Sequence, residues 1–510
     1  MSWIMSTSTT KLSRHDLRIG RSPGDRRARL VRPAVCVLPV LMAAVLAGCA
    51  NYAGITSDKR MADASTYAAT QSIPAEQGRW PSADWAAQFG DAQLKALIDE
   101  ALQTNPSLEK ARARVAAAAA FSEGANANTL PQVGAGYSWA RQRFSESALV
   151  PPPFAGAWQS ENKAFTNASY ELDVWGKNRE ALKSAVSAQH ASEAEAEQVK
   201  LTLSGAIARA YNELARLYAL HDIAQDEVRQ RREVLRVTNG RVTLGLDTEV
   251  EKRTAEANLA ASEVALSSLD GGLQRTRYQL GALLGQGPDR GLAIRRPALG
   301  TGDAVRLPDN LPADLVSRRP DIVAARWRVD ATLHDIKVAK AEFYPDINLS
   351  AMIGLDAFGW GRFLRAASRT ASVGPAIHLP IFDGGALRAQ LKGRYAEFDF
   401  AVAHYNETLV NALTEVATQL SDIRAVDAQI DNAVRADTAA RRAQTLALAQ
   451  YKAGLTTQLT ALNAQTNALA SSQALANLRM TRRDGQIALA AALGGGYTEP
   501  AVSEDEKVTR

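Results

Sequence analysis

The sequence predicts an α+β fold made of two internal structural repeats, each with two β-strands and two long helices. Three observations predict it. The same order of signals recurs in two halves of the chain, two proline-free stretches carry apolar residues at heptad spacing, and four short segments alternate in polarity. A period of seven is typical of coiled-coil helices, and a period of two is typical of half-buried strands.

The two repeats are predicted at residues 91–300 and 301–495. Each opens with a helix at a proline turn, at Pro106 in the first repeat and at Pro320 in the second. Two strand-like stretches follow in both, then a very long helix, a Gly-Leu turn and a closing helix. Self-similarity of this kind indicates that each half repeats one structural plan.

Residues 1–48 have the features of an export signal. A basic region precedes an apolar run from Ala34 to Leu46. That run is shorter than the about 20 residues a membrane-spanning helix needs, and it suits a secretory signal. It ends in Leu46-Ala47-Gly48-Cys49. This ending resembles a bacterial lipobox, so Cys49 is predicted to be lipidated and residues 49–90 to form a lipid-anchored N-terminal segment.

The charge of the chain is concentrated in the export signal. The whole sequence has a net charge of +5, but residues 1–48 hold eight Lys/Arg and two Asp, a net of +6. The remainder therefore carries about −1, which gives no case for a nucleic-acid partner. The only cysteines are Cys36, which leaves with the signal, and Cys49. Stability must then come from packing rather than from disulfides.

Four segments are predicted to be strands, and each has about the 9–11 residues of a tilted barrel strand. They are residues 132–146, 163–175, 347–358 and 372–382. Four strands cannot close a barrel, whereas three chains would supply the strands of a closed twelve-stranded β-barrel. The alternative is four ordinary surface strands of a soluble domain.

The two long helices carry apolar residues at alternating spacings of four and three. The first set is Leu203, Ile207, Ala210, Leu214, Leu217, His221, Ala224 and Val228. The second is Leu409, Leu413, Val416, Leu420, Ile423, Asp427, Ile430 and Val434. Such a repeat predicts a left-handed coiled coil. Each helix would extend roughly 90–100 Å, which suits the wall of a tube or a stalk rather than a compact core.

Several motifs resemble the TolC-like outer-membrane factor family, in particular its NodT-like efflux lipoprotein branch. The sharpest is Ser317-Arg318-Arg319-Pro320-Asp321-Ile322, followed by Ala339-Lys340-Ala341-Glu342-Phe343-Tyr344-Pro345. Two further segments resemble the strand-to-helix corners of that family. They are Leu172-Asp173-Val174-Trp175-Gly176 and Pro380-Ile381-Phe382-Asp383-Gly384-Gly385. The resemblance implies a homotrimer with a twelve-stranded barrel in the bacterial outer membrane, continued by a periplasmic α-helical tunnel.

The resemblance also implies a function and partners. The channel would pass small toxic compounds from an inner-membrane transporter and a periplasmic adaptor to the exterior, anchored in outer-membrane lipid. Glycine at each turn frees the backbone for a tight reversal, and the exposed leucine beside it suits docking of the adaptor. The predicted docking residues are Gly245, Leu246, Thr248, Gly454, Leu455 and Thr457.

The predicted gate departs from the family pattern. Family members often carry aspartates shortly after the second turn, where this chain has Thr460 and Asn463. The two residues lie three apart, on one helical face, and are predicted to line the constriction without an acidic ring. The first repeat keeps acids in the corresponding region, at Asp247, Glu249 and Glu251.

No pattern in the sequence indicates catalysis, a cofactor or a metal site. The six histidines do not stand at metal-binding spacings, and His221 falls on the heptad seam, where a packed polar residue that sets register is expected. Two alternatives stay open beside the efflux channel. One is a conduit for type I protein secretion, and the other is a periplasmic coiled-coil scaffold lipoprotein without a pore.

Overall fold

A computed structural model describes residues 51–69, 71–74, 78–147, 150–300, 307–308 and 311–500. Within them, four antiparallel strands form one sheet in the order β1-β2-β3-β4. The strands are β1 (Gln132–Arg143), β2 (Trp158–Glu171), β3 (Asp346–Phe358) and β4 (Arg369–His378). The predicted α+β fold with two strands per repeat is confirmed, although β2 and β4 begin and end three to five residues earlier than predicted.

The sheet has one apolar and one polar face, because side chains alternate along each strand. The strand register places Tyr137 opposite Ala164 and Ala164 opposite Leu355, and the large exposed apolar side chains of all four strands share this face. They are Val133, Tyr137, Trp139, Trp158, Leu349, Ile353, Val373 and Ile377. The opposite face carries Lys163, whose ammonium lies 2.8 Å from Glu161 and 3.7 Å from Asp356.

Ten helices are described. They are α1 (Ala92–Thr104), α2 (Pro106–Ala127), α3 (Lys177–Thr243), α4 (Glu249–Leu283), α5 (Pro288–Leu292), α6 (Leu311–Arg318), α7 (Pro320–Ala341), α8 (Trp360–Phe363), α9 (Ala386–Lys452) and α10 (Gln458–Ala492). Helices α3 and α9 have 67 residues each, which corresponds to about 100 Å. Among the described residues, no helix combines the length and apolar character needed to cross a membrane.

The long helices form a layer that continues from the sheet. Near the strands, α2, α3, α7 and α9 contact one another in that order. Towards the helical turns the order is α4, α3, α10 and α9. Strand β1 follows α2 in the chain and β4 precedes α9, so the sheet and the layer share their two edges. One edge consists of β1, α2 and α4, and the other of β4 and α9.

The predicted heptad seam of the first repeat is buried, apart from a partly exposed His221. In the second repeat the seam is buried from Leu409 to Ile423, but the prediction is wrong for Val434, which is 39% exposed. Asp427 leaves the seam and accepts a hydrogen bond from Arg482 Nε at 2.5 Å. Asp437, the next position of the same repeat, is buried again. Towards the turns α9 lies at the edge of the layer with α10 as its neighbour, so this part of the repeat is covered only on one side.

Short elements pack against the middle of the layer. Helix α1 and a 3₁₀ turn at Trp85–Phe89 form an apolar cluster with α3, and the Tyr211 hydroxyl donates to Asp91 at 2.8 Å. In the arginine-arginine-proline-aspartate motif, the buried Arg319 donates to Asp321 at 2.7 Å and to Glu415 at 2.8 Å. The motif therefore joins the start of α7 to α9.

Candidate functional site at the hairpin tips

The first hairpin tip is a tight, charged turn between α3 and α4. Gly245 adopts a φ of +71°, a left-handed conformation that side chains other than glycine disfavour. Thr248 caps α4 in a capping box, since its backbone N–H donates to the Glu251 carboxylate at 2.9 Å. Leu246 is 61% exposed, so an apolar side chain stands free at the end of a braced turn.

The second tip repeats this backbone with neutral side chains. Gly454 has a φ of +76°, and Thr457 caps α10 by accepting a hydrogen bond from the Thr460 N–H at 3.4 Å. Leu455 is 77% exposed. Both threonines predicted to dock an adaptor thus also have a structural role as helix caps, whereas the two leucines have no comparable role in the fold.

A polar network, here called the tip lock, fastens the second hairpin to the first. Arg241 Nε donates to Asp247 Oδ2 at 2.9 Å, and the Tyr451 hydroxyl donates to the same oxygen at 2.9 Å. Gln458 Nε2 donates to Thr238 Oγ1 at 3.0 Å and to the Glu251 carbonyl at 3.1 Å. The lock therefore joins α9 and α10 of the second repeat to both helices of the first.

Charge strengthens the tip lock. Hydrogen bonds from the Arg241 guanidinium hold the pKa of the Asp247 carboxyl below its ordinary value, against the opposing effect of burial. Burial raises the pKa of the Tyr451 hydroxyl. Beside the lock, Lys452 lies 2.8 Å from Glu233, and hydrogen bonds from Arg236 and then Lys452 lower the pKa of Glu233 to about 2. The Asp247 and Glu233 carboxylates thus stay ionised across the neutral range.

The predicted gate residues lie just beyond the lock. Thr460 and Asn463 are both exposed on one face of α10, while their neighbours Ala461 and Leu462 pack with Val234 and Tyr451. Thr460 Oγ1 is 3.2 Å from Thr457 Oγ1. The two gate residues are brought together with the second tip but not with the lock itself.

Two further sequence predictions concern lipidation and metal binding. Cys49, the predicted lipidation site, lies outside the described residues. In the parts of the chain that the structure describes, no group of three or more His, Cys, Asp or Glu side chains could hold a metal ion.

The sequence did not reveal the tip lock. Asp247 stood out only as one of several acids near the first turn, and no pattern marked Tyr451. The two residues are 204 positions apart, yet their side chains bond directly. A weak signal existed, because both flank Gly-Leu turns at corresponding ends of the two repeats.

Comparison with known proteins agrees with this architecture. The family described as "Outer membrane efflux protein" matches residues 97–286 and 311–495. The fusaric acid resistance protein FusA of Burkholderia cepacia is 38% identical over 365 residues, which cover 70% of this chain and 68% of that protein. The multidrug resistance outer membrane protein MdtP of Escherichia coli K12 is 31% identical over 436 residues, covering 83% of this chain and 88% of MdtP.

Solved structures show the same fold. The outer membrane protein VceC of Vibrio cholerae is 38% identical and superposes with a TM-score of 0.77, covering 82% of this chain and all of VceC. The outer-membrane channel OprN is 29% identical, with a TM-score of 0.78 over 86% of this chain and 98% of OprN. With two matched repeats, four strands and two long hairpins, the chain belongs to the outer membrane efflux protein family, whose members are channels rather than enzymes.

Proposed function

We propose that three copies of this chain form one duct, which carries small toxic compounds from a periplasmic adaptor and an inner-membrane transporter to the exterior. The observation that carries this proposal is the pair of matching open edges. Strands β1 and β4 have unpaired backbone groups at the sheet edges, and the helical layer ends at the same two sides. Joining opposite edges of successive copies gives a head-to-tail ring that can close.

The side chains at the two edges support such a ring. Exposed apolar residues lie on both edges, at Phe121 and Val264 on one and at Phe400 and Leu446 on the other. Apolar patches of this kind mark protein interfaces. Closing the sheet would place its apolar face against lipid and its polar face around the lumen, as in outer-membrane barrels.

The trimer is tested by the mass of the purified protein in detergent. Phe400→Glu places a charge on the edge formed by β4 and α9 and should dissociate the assembly. Leu333→Glu is the matched control. Leu333 is also exposed, but it lies on α7, which has α3 on one side and α9 on the other and so forms no edge of the layer. A stable, monodisperse monomer of the unmodified chain with native helicity would contradict the proposal.

Conduction is tested in a planar lipid bilayer. The trimer should form discrete channels, and cells that lack it should become sensitive to small toxic compounds. FusA and MdtP are named for resistance to such compounds, which supports this substrate class. An anchored trimer that never conducts would instead indicate a periplasmic scaffold without a pore.

The docking surface consists of the two exposed tips. Leu246 and Leu455 stand free beside rigid glycine turns, and a periplasmic adaptor is the partner we assign to them. Thr460 and Asn463 then line the constriction above the second tip. Photo-crosslinking from Leu455 should capture the adaptor, whereas crosslinking from the exposed Val373 of β4 should not.

Lipidation at Cys49 would place the protein in the lipoprotein branch of the family. Mass spectrometry of the mature amino terminus should find a diacylglyceryl cysteine at Cys49. Cys49→Ser should weaken anchoring while the trimer stays folded, because the barrel would still hold it in the membrane. An unmodified terminus at Ala50 or an uncleaved signal would contradict this assignment.

A further inference from the structure

A polar cleft interrupts the contact between the two hairpins, between the apolar seam and the tips. Its volume is about 50 Å³, and it lies where α3, α9 and α10 converge. Most of its lining is polar, including Glu227, Gln230, Arg441, Gln444, Gln465 and Ser472. Polar side chains also cross the contact of α3 with α10 elsewhere, at the tip lock and where Asn212 donates to the Met480 carbonyl at 2.9 Å, but those side chains are bonded to protein partners.

Gln465 is the residue that this cleft leaves unsatisfied. Its side chain is 3% exposed, and neither its amide nitrogen nor its amide oxygen has a hydrogen-bond partner among the described residues. Gln458, two turns nearer the tip on the same helix, is 6% exposed but donates two hydrogen bonds within the tip lock. A buried amide without partners is strongly disfavoured, so Gln465 requires an occupant that both donates and accepts.

The charges around the cleft indicate that this occupant is neutral. Glu227 lies 3.3 Å from Arg231, and Asp437 lies 2.9 Å from Arg441. Asp226 is likewise paired with Arg229. Each carboxylate is thus matched by a guanidinium, so the site attracts neither a cation nor an anion. A space of this size holds a few water molecules, each of which needs roughly 10–15 Å³.

We propose that the cleft is an internal hydration site, in which ordered water bonds to both amide atoms of Gln465 and joins the α9–α10 hairpin to α3. Water exchanges hydrogen-bond partners readily, at little enthalpic loss compared with a direct bond. The hydrated cleft is therefore the level at which the second hairpin tilts away from α3. Above it, the apolar seam from Leu409 to Ile423 stays packed. This hinge rests on the proposed channel function, whereas the hydration site itself does not.

The direct test is a high-resolution density map of the full-length trimer. Ordered water within hydrogen-bond distance of both Gln465 amide atoms is expected. A dry cleft, or density with the coordination of a metal ion, would overturn the proposal.

A pair of variants tests the hinge. Gln465→Met replaces the unsatisfied amide with an apolar chain of similar shape and should leave the thermal midpoint unchanged or raise it, while channel opening becomes several-fold rarer. Gln458→Met, the matched control on the same helix, should lower the midpoint and make opening more frequent. Equal destabilisation by both changes would show that Gln465 is bonded within a dry wall and would overturn the proposal.

Conductance of the unmodified protein distinguishes failure of the proposed channel function from failure of the hydration site and its hinge. If it conducts while the two variants behave alike, only the hydration site and its hinge fail. If it never conducts, the proposed function fails, and the density at Gln465 still decides whether the cleft holds water.

Discussion

The two hairpin tips share one backbone design but differ in what holds them. Each has a glycine in the left-handed conformation, an exposed leucine and a threonine cap. The first tip is braced within itself by the pair of Arg241 with Asp247 and by the capping box at Thr248. The second tip is capped by uncharged groups, through a bond of 3.4 Å from the Thr460 N–H to Thr457 and a hydroxyl contact of 3.2 Å between the same two residues.

This difference assigns separate roles to the tips. The second hairpin is held near its end by Tyr451 and Gln458, both of which bond to the first repeat. Loss of these bonds would free the second tip and leave the first intact. Repetition of a backbone plan therefore does not imply repetition of its mechanics, since polar side chains hold the first tip within itself and bond the second tip to its neighbour.

The largest effect, on efflux, is expected from changing the turn glycine that both tips share. Gly245→Val together with Gly454→Val should abolish efflux, because a left-handed residue with a side chain costs roughly 1–2 kcal/mol and the turns would rearrange. Gly245→Asn with Gly454→Asn is the control, since asparagine tolerates this conformation. Drug susceptibility measures export, and a native gel checks the trimer. Normal export by the valine variant would rule out docking at these turns.

The next largest effect, on channel opening, is expected when the tip lock is broken. Asp247→Asn removes the charge that Arg241 and Tyr451 share, and hydrogen bonds to charged groups contribute about 1.5–3 kcal/mol. The open probability of single channels should rise roughly tenfold to a hundredfold. Glu256→Gln is the control, because Glu256 pairs with Arg253 on the same hairpin in an exposed position. An equal response to both changes would mean that the lock does not hold the closed state.

A smaller effect, on conductance, is expected when the neutral second tip is made acidic. Thr460→Asp with Asn463→Asp should create block by divalent cations from the periplasmic side, because three pairs of carboxylates around the axis would attract them. Thr460→Asn, which adds no charge, should leave conductance in divalent salts unchanged. Strong divalent block of the unmodified channel would place the gate at another acidic ring.

The smallest effect is expected from mild acid. Because the folded pKa of Asp247 is depressed, its stabilisation is present above its ordinary value of 3.8 and is lost as the pH falls through the folded pKa. The open probability should therefore stay constant from about pH 7 to 5 and rise only in stronger acid. Asp247→Asn should show no such rise. A change near pH 6 would indicate a different titrating group, such as a histidine.

Local patterns predicted much of the fold because they depend on neighbours in sequence. The heptads predicted the buried seam of α3, and glycine predicted both turns, since only glycine adopts a left-handed conformation at little cost. The same reasoning failed at Val434, which is exposed because α9 lies at the edge of the layer and is covered there by α10 alone. Periodicity predicts which face of a helix is buried but does not fix where neighbouring helices stop covering a long seam.

The sequence by itself determined the two-repeat plan, the strands, the long helices and the positions of the tips, because short-range periodicity and turn chemistry specify them. Only the tertiary structure decided which polar side chains meet. The bond between Asp247 and Tyr451 and the unsatisfied amide of Gln465 both depend on how α3, α9 and α10 pack side by side. Hydrogen bonds require atoms within about 3 Å in a suitable direction, and residues some 200 positions apart reach that distance only through the packing of whole helices.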